Sequence, residues 1–486
     1  MKKKLKVFLK IFSIVSFIYG AWMFYQQMRI PDVQRLSGNE NRSWLIQNVN
    51  VLPMDNPEQP VLYAHSVVVE NGMITQIFPN ADINNLPNLS SLDIIDGQGM
   101  YLTPGLTDVH VHVLDEAELA AFLYYGVTAI RNMNGFSMHL RMQASIENAQ
   151  LLGPSFITTG QILNSPGSNF NGFQQSVQTP EQAIAAVEKQ YQQGFRHLKV
   201  YSNLFPDVFD AIKQSAQALG MSITGHSPEG HRHDGVPYEK PFEISWDESV
   251  GQGFTSLEHI ETIAWHALRD TMNETSMRAA AQQLATSGDA VTPTLIAHRR
   301  LVKVAQSKGG YLHQEDSDMI NPVIPIMEIG AQEFWSNMDP NGYELPHAMF
   351  FLEATKMLQQ ENVPLLAGSD AGGFGLIPGK SLHEELALMS EAGLSNYQVL
   401  QAATKNASLI GFTKLGQIKP EFTANLLLLK QNPLEDLQNL SQIEGVMVNG
   451  HWIDSGEREE LKQVAKDTRL TRSLVRIAEI RISEWF

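Results

Sequence analysis

The chain has 486 residues, 43% hydrophobic and 18% charged, with no low-complexity tract, so it has room for one large domain and a smaller one. It contains no cysteine, which excludes disulfides and thiolate metal sites; any metal must be held by histidine, carboxylate or modified lysine. The formal net charge of -17 argues against nucleic-acid binding, which needs basic surface to neutralise phosphates.

Residues 1 to 30 concentrate positive charge, with Lys2, Lys3, Lys4, Lys6, Lys10 and Arg29 and no acid. The stretch V-F-L-K-I-F-S-I-V-S-F-I-Y-G-A-W-M-F-Y carries only Lys10 as a charge, close to the length a spanning helix needs. An uncleaved single-pass anchor is the preferred reading over a cleaved signal peptide, because Tyr19-Gly20-Ala21 is a weak cleavage site. Either reading puts the body outside the cytoplasm, on the periplasmic side or secreted.

From about Trp44 to 103, short alternating segments broken by turns predict β-structure. Asn71-Gly72 between two β-rich runs predicts a hairpin. From Pro104 to Gly411 the texture changes to eight short apolar strands separated by helical stretches. The strands are T-D-V-H-V-H-V, T-A-I-R-N-M, S-F-I-T-T-G, H-L-K-V-Y, S-I-T-G-H, S-L-E-H-I, A-V-T-P-T-L and P-L-L-A-G-S-D. T-P-E-Q at 179–182 supplies an N-cap, a first-turn proline and a capping glutamine, for a helix ending near Gly194; S-N-Y-Q at 395–398 opens another. The α/β alternation predicts a (β/α)₈ barrel. A doubly wound open sheet is the other architecture, but no glycine-rich phosphate loop supports it. Residues 412–455 return to strand texture and, with 44–103, are expected to build a small β-sandwich-like domain. Residues 456–486 read as a peripheral helical tail.

Active-site groups of such barrels lie at the carboxyl ends of the strands. His110 and His112 share one face of the first strand. Lys199 shares a face with His197 and Tyr201, and points inward if Leu198 and Val200 pack on outer helices. A bare ammonium there needs a partner or altered chemistry, such as carboxylation to a bridging carbamate; a salt bridge to a nearby acid is the simpler alternative. His226 and His259 end the fifth and sixth strands, and Asp370 ends the eighth. Taken singly, each is more readily a hydrogen-bonded core histidine or a helix N-cap. Six such residues in order on five strands are not a chance alignment.

The matches P-G-L-T-D-V-H-V-H, L-K-V-Y, T-G-H, L-E-H and A-G-S-D resemble the amidohydrolase superfamily of metal-dependent hydrolases. So do the flanking E-N-G-M-I-T-Q-I and A-T-K-N-A-S-L-I-G-F, and the resemblance covers most of residues 44 to 455. Within the superfamily the chain is similar to the imidazolonepropionase-like and prolidase-like branch. The resemblance implies two divalent cations, zinc above all. His110, His112 and Asp370 would hold the buried one, His226 and His259 the more exposed one, with carboxylated Lys199 bridging them. It further implies that activated water attacks a polarised amide carbonyl, with Asp370 moving the proton to the leaving nitrogen.

Asn425 stands where many relatives have an acid, outside the site. The loop after His226 holds a second pair, His231 and His233, read as solvated. Tyr201 is placed to reach substrate or to fill the barrel mouth. The expected substrate is a small molecule or short peptide, such as a dipeptide or N-acyl amino acid. A homo-oligomer is possible for the chain. The alternatives are a mononuclear cyclic-amide hydrolase or deaminase, and a non-catalytic binding protein on the same fold.

Overall fold

In the computed structural model, which describes residues 16, 19–29, 31–36, 42–86, 89–167, 171–231, 242–342 and 344–483, the predicted strands pair in chain order. Leu106–Val111, Val127–Asn132 and Ser155–Thr158 form one parallel set; His197–Val200, Ser222–Gly225, Phe254–Glu258 and Val291–Thr292 form another. The Gly160 N–H donates to the His197 carbonyl at 2.8 Å and joins the two sets on one side. Residues 364–371 join them on the other. Leu366 N–H donates to the Val291 carbonyl at 2.9 Å, and Asp370 N–H to the His110 carbonyl at 2.8 Å. The ring is thereby closed, as in a (β/α)₈ barrel.

The seventh and eighth strands are shorter than predicted, for identifiable reasons. Pro293 has no N–H to offer a ladder, and Thr294 takes φ +46°, so the seventh strand stops at Thr292. The eighth is an extended segment tied by isolated bridges, Val291 to Leu365 and Val111 to Ala371. Between these bridges Gly368 lies so close to the first strand that a Cβ there would sit 2.8 Å from that of His110.

The helix signals hold. Thr179 caps Pro180–Gln193, which ends at Gly194 with φ +112°; the Gln182 side chain accepts from Gln178 N–H, one residue before the cap. Ser395 and Gln398 form a reciprocal capping box on Asn396–Ala402. Asn71 and Gly72 have φ +51° and +75°, the two positive values of a tight hairpin turn between Leu62–Glu70 and Met73–Pro79.

The flanking strands form one continuous eight-stranded sheet rather than two separate layers. Its halves meet where Tyr101–Pro104 pairs antiparallel with Leu426–Leu429. The four consecutive leucines of that strand are buried on both faces. Leu426 and Leu428 enter the core of the sheet domain, while Leu427 and Leu429 enter the barrel's.

Two expectations are corrected. Among the described residues no helix is long and apolar enough to cross a membrane. Within the presumed anchor, residues 16 and 19–28 are described and are helical. Arg469 donates to the Gln26 carbonyl at the end of that helix. The single-pass assignment, and the location argued from it, are therefore withdrawn; residues 1–15 lie outside the described residues. The tail, in turn, is two helices, Ser455–Lys466 and Leu470–Ser483, and it is not merely peripheral. Arg472 is 1% exposed, and its guanidinium holds the fully buried Asp115 with two hydrogen bonds, 2.5 and 2.7 Å. Asp115 in turn caps Glu116–Tyr124, the helix that follows the first barrel strand.

Breaking a buried ion pair strands the remaining charge, typically at about 3–5 kcal/mol. Arg472→Ala is expected to lower unfolding free energy by roughly that amount in urea titration. A change under about 0.5 kcal/mol would return the tail to a peripheral role.

Candidate metal centre and active site

The first barrel strand is buried along its whole length, and His110 points into the barrel interior with no exposed surface. His112, just beyond the strand end, is part-exposed. Asp370 meets both: its Oδ1 lies 3.2 Å from His112 Nε2 and 3.5 Å from His110 Nε2. One ligand atom from each of these three side chains lies within 4.8 Å of the others. Two glycines make the approach possible. A Cβ on Gly368 would meet His110, and one on Gly372, at φ +105°, would lie 2.1 Å from the His112 carbonyl oxygen. Burial opposes ionisation of Asp370, yet His112, His110 and His259 hold its carboxyl well below the usual range.

Lys199 extends from the fourth strand into the same space, and its Nζ lies 3.1 Å from His110 Nε2. No carboxylate among the described residues makes a salt bridge to it, so the simpler sequence reading of a neutralised lysine is not met. Burial pushes its ammonium down to about 8, against the pull of Asp370 and Glu258. His226 and His259 stand side by side with ring centroids 4.8 Å apart, and His259 is 4.6 Å from His110. The structure thus brings all six predicted ligand residues together at the carboxyl end of the barrel.

Each of three histidines has one ring nitrogen already engaged. His110 Nδ1 is 2.7 Å from Glu258 Oε2, His259 Nδ1 2.7 Å from Thr294 Oγ1, and His226 Nδ1 3.2 Å from Thr262 Oγ1. The opposite nitrogen, Nε2, is left for a ligand role, the usual pattern around metal-bound imidazole. His259 and Asp370 both adopt positive φ, +69° and +57°, strain of the kind that persists where surrounding structure enforces it. Imidazole, carboxylate and amine-derived donors without thiolate fit zinc, and also iron, manganese or nickel.

Sequence reasoning missed what lies beneath. Glu258 precedes His259 on the sixth strand and is completely buried. Arg131 Nη2 donates to its Oε1 at 2.7 Å, and the Thr224 and Ser256 hydroxyls donate to the same oxygen. Burial would raise the Glu258 carboxyl, but Arg131 and these donors hold it below its ordinary value. Asp108, two residues before His110, accepts from Ser369 Oγ and N–H; burial nevertheless pushes it up to about 7. The period-two pattern Ser256, Glu258 was the available signal, since it points both side chains into the barrel.

Tyr201 lies beside the site, its ring centroid 4.0 Å from that of His226. His231 stands apart, stacked at 5.0 Å on Phe205, and His233 falls outside the described residues. Asn425 donates to the Thr128 carbonyl and Ser155 Oγ, away from the ligand set. A cavity of about 830 Å³ also lies elsewhere, at the start of the third barrel strand against the sheet domain; none of the six ligand residues lines it.

A sequence model of the Amidohydrolase family matches residues 101–453. A stretch of 69 residues is 36% identical to the enamidase of Eubacterium barkeri, and spans 14% of this chain and 17% of that enzyme. Among solved structures, a bottromycin amidohydrolase superposes with a TM-score of 0.71 at 21% identity, over 91% of this chain and 95% of its own. A Xaa-Pro dipeptidase with bound methionine gives 0.63 at 18% identity, over 85% and 100%. At these identities the two structures establish the fold.

Thr294→Val removes the hydroxyl that orients His259 with little change of volume. It is expected to weaken divalent-metal affinity about 10- to 100-fold in competition with a chromogenic chelator. Unchanged affinity would show that His259 is not a ligand.

Proposed function

The chain belongs to the amidohydrolase family and is a metal-dependent hydrolase of amide-type C–N bonds; on that premise we propose that it works with two divalent ions, zinc foremost, bridged by carboxylated Lys199. The observation that carries this reading is Lys199, a fully buried lysine that ends beside His110 without a carboxylate partner. Loss of one proton from the ammonium, then addition of Nζ to the carbon of CO₂ with release of a second proton, converts the unpaired cation into an anion with two oxygens, suited to that position.

His110, His112 and Asp370 hold one ion in this reading, and His226 and His259 the other. When bound, the ions lower the pKa of water and polarise the scissile carbonyl. The chain's own groups do the rest. Glu258 fixes the His110 ring so that Nε2 faces the site. Asp370 takes a proton from the attacking water on a carboxylate oxygen and returns it to the leaving nitrogen. Tyr201, beside His226, contacts the substrate.

A small amide or short peptide with room to enter from the carboxyl end of the barrel is the substrate in this reading. A mononuclear reading draws on the compact trio His110, His112 and Asp370, which suffices for one ion. Metal analysis of the purified protein separates the two. About two divalent ions per chain are expected, falling in Lys199→Ala and partly restored, with activity, by a short-chain carboxylic acid. One ion, indifferent to Lys199, would establish the mononuclear centre. Protein that takes up no metal and hydrolyses nothing in a library of dipeptides and N-acyl amino acids would be a binding protein.

A further inference from the structure

The helix Ile260–His266 begins directly after His259, at the carboxyl end of the sixth barrel strand, and Glu261 lies in its first turn. His259 is buried, yet the Glu261 side chain two residues on is 53% exposed. The charges of His259 and Asp370 both reach the Glu261 carboxyl, so its open surface lies beside the ligand set. Among the described residues this carboxylate accepts no hydrogen bond. Its one ion-pair contact is His298 Nδ1 at 3.7 Å, beyond hydrogen-bond length.

His298, on the helix Leu295–Gln306, is held by another acid. Its Nε2 lies 2.6 Å from Oε2 of Glu344, which opens the helix Glu344–Gln360. Its ring stands edge-on to Phe351, with centroids 4.8 Å apart. Burial works against a charge on this imidazole, but Glu261 and Glu344 push it up to about 9, so it is a cation at neutral pH. One imidazolium therefore faces two carboxylates. His298 and Glu344, 11% and 15% exposed, neutralise each other at close range. Glu261, the open member of the three, is left without a counter-charge of its own, and no lysine or arginine among the described residues pairs with it.

We propose that Glu261 binds a primary ammonium on the acyl side of the scissile bond, so that substrates with an unblocked aminoacyl group are preferred over N-acyl amino acids. This rests on the amide-hydrolase reading above. An ammonium is a compact charge with three donors; a half-open carboxylate accepts one of them while water serves the others. The side follows from the two halves of the ligand set. Asp370 returns its proton to the leaving nitrogen, so the acyl portion lies toward His226 and His259, and Glu261 follows His259 by two residues.

The test uses metal-loaded full chain and two isosteric pairs. Ala-Leu and N-propionyl-leucine differ only by the amine on the acyl side; N-acetyl-lysine and N-acetyl-norleucine differ only by an amine on the other. Wild type is expected to favour Ala-Leu over its partner by about 10- to 30-fold in kcat/KM. Glu261→Gln should erase most of that preference by slowing Ala-Leu and sparing N-propionyl-leucine, and Glu261→Asp, which keeps the charge, should retain part of it. Metal content should equal that of wild type in both variants, which separates Glu261 from the ligands. A wild type without the preference, or with one confined to N-acetyl-lysine, would overturn the proposal. So would equal loss on both members of the first pair, or loss of metal in Glu261→Gln. If no substrate is hydrolysed, calorimetry on Ala-Leu and N-propionyl-leucine decides. Tighter, Glu261-dependent binding of Ala-Leu would keep the proposal and defeat the hydrolase reading; absence of that binding would overturn it.

Discussion

The carboxylate of Glu258 is the fixed point on which the site depends. It lies in the barrel interior with no access to water, a position where an anion survives only with full compensation. Arg131 supplies the charge from the second strand, and Thr224 and Ser256 supply hydroxyl donors from the fifth and sixth. Its second oxygen remains for His110 Nδ1 on the first strand. One buried side chain therefore ties four strands together and sets the orientation of the imidazole at the centre of the ligand set. The stability of the barrel and the geometry of the metal centre are the same network seen from two sides.

That coupling explains what was legible in the sequence. The ligand-type residues stood out because each ends a strand with a recognisable alternation, so His110, His112, Lys199, His226, His259 and Asp370 could be placed by period and position. The hairpin at Asn71-Gly72 and the cap at Thr179 were legible because their signals are local. Glu258 and Arg131 were not, since a lone acid or base in an apolar strand has no partner until the ring closes and brings residues 127 positions apart to 2.7 Å. Strands seven and eight were overextended because alternation counts residues, while Pro293 and the positive φ of Thr294 stop the seventh, and the eighth is held only by isolated bridges. The N-terminal segment was misjudged on hydropathy and flanking charge: no helix among the described residues is long and apolar enough to cross a membrane.

The supporting residues also divide the labour. Thr262 and Thr294 hold imidazoles through neutral hydroxyls, whereas His110 answers to a charged carboxylate. A hydroxyl fixes a ring without adding charge to the more exposed half of the site. The ionised Glu258 makes the His110 ring a stronger donor where the surroundings are driest. The same polypeptide thus prepares two unlike electrostatic settings a few ångströms apart.

The pairing of Arg472 with Asp115 joins residues 357 positions apart, and the sheet domain likewise needs Leu426–Leu429 beside Tyr101–Pro104. A ribosome adding about 5–20 residues each second takes roughly 20–70 seconds to cross that interval. Until Arg472 emerges, the helix after the first barrel strand has its capping aspartate but not the arginine that neutralises it, and until Leu426–Leu429 emerges the sheet lacks the strand that joins its two halves. The catalytic end of the barrel is therefore among the last parts to be finished. Protein synthesis itself delays the appearance of a working hydrolase until nearly the whole chain has emerged.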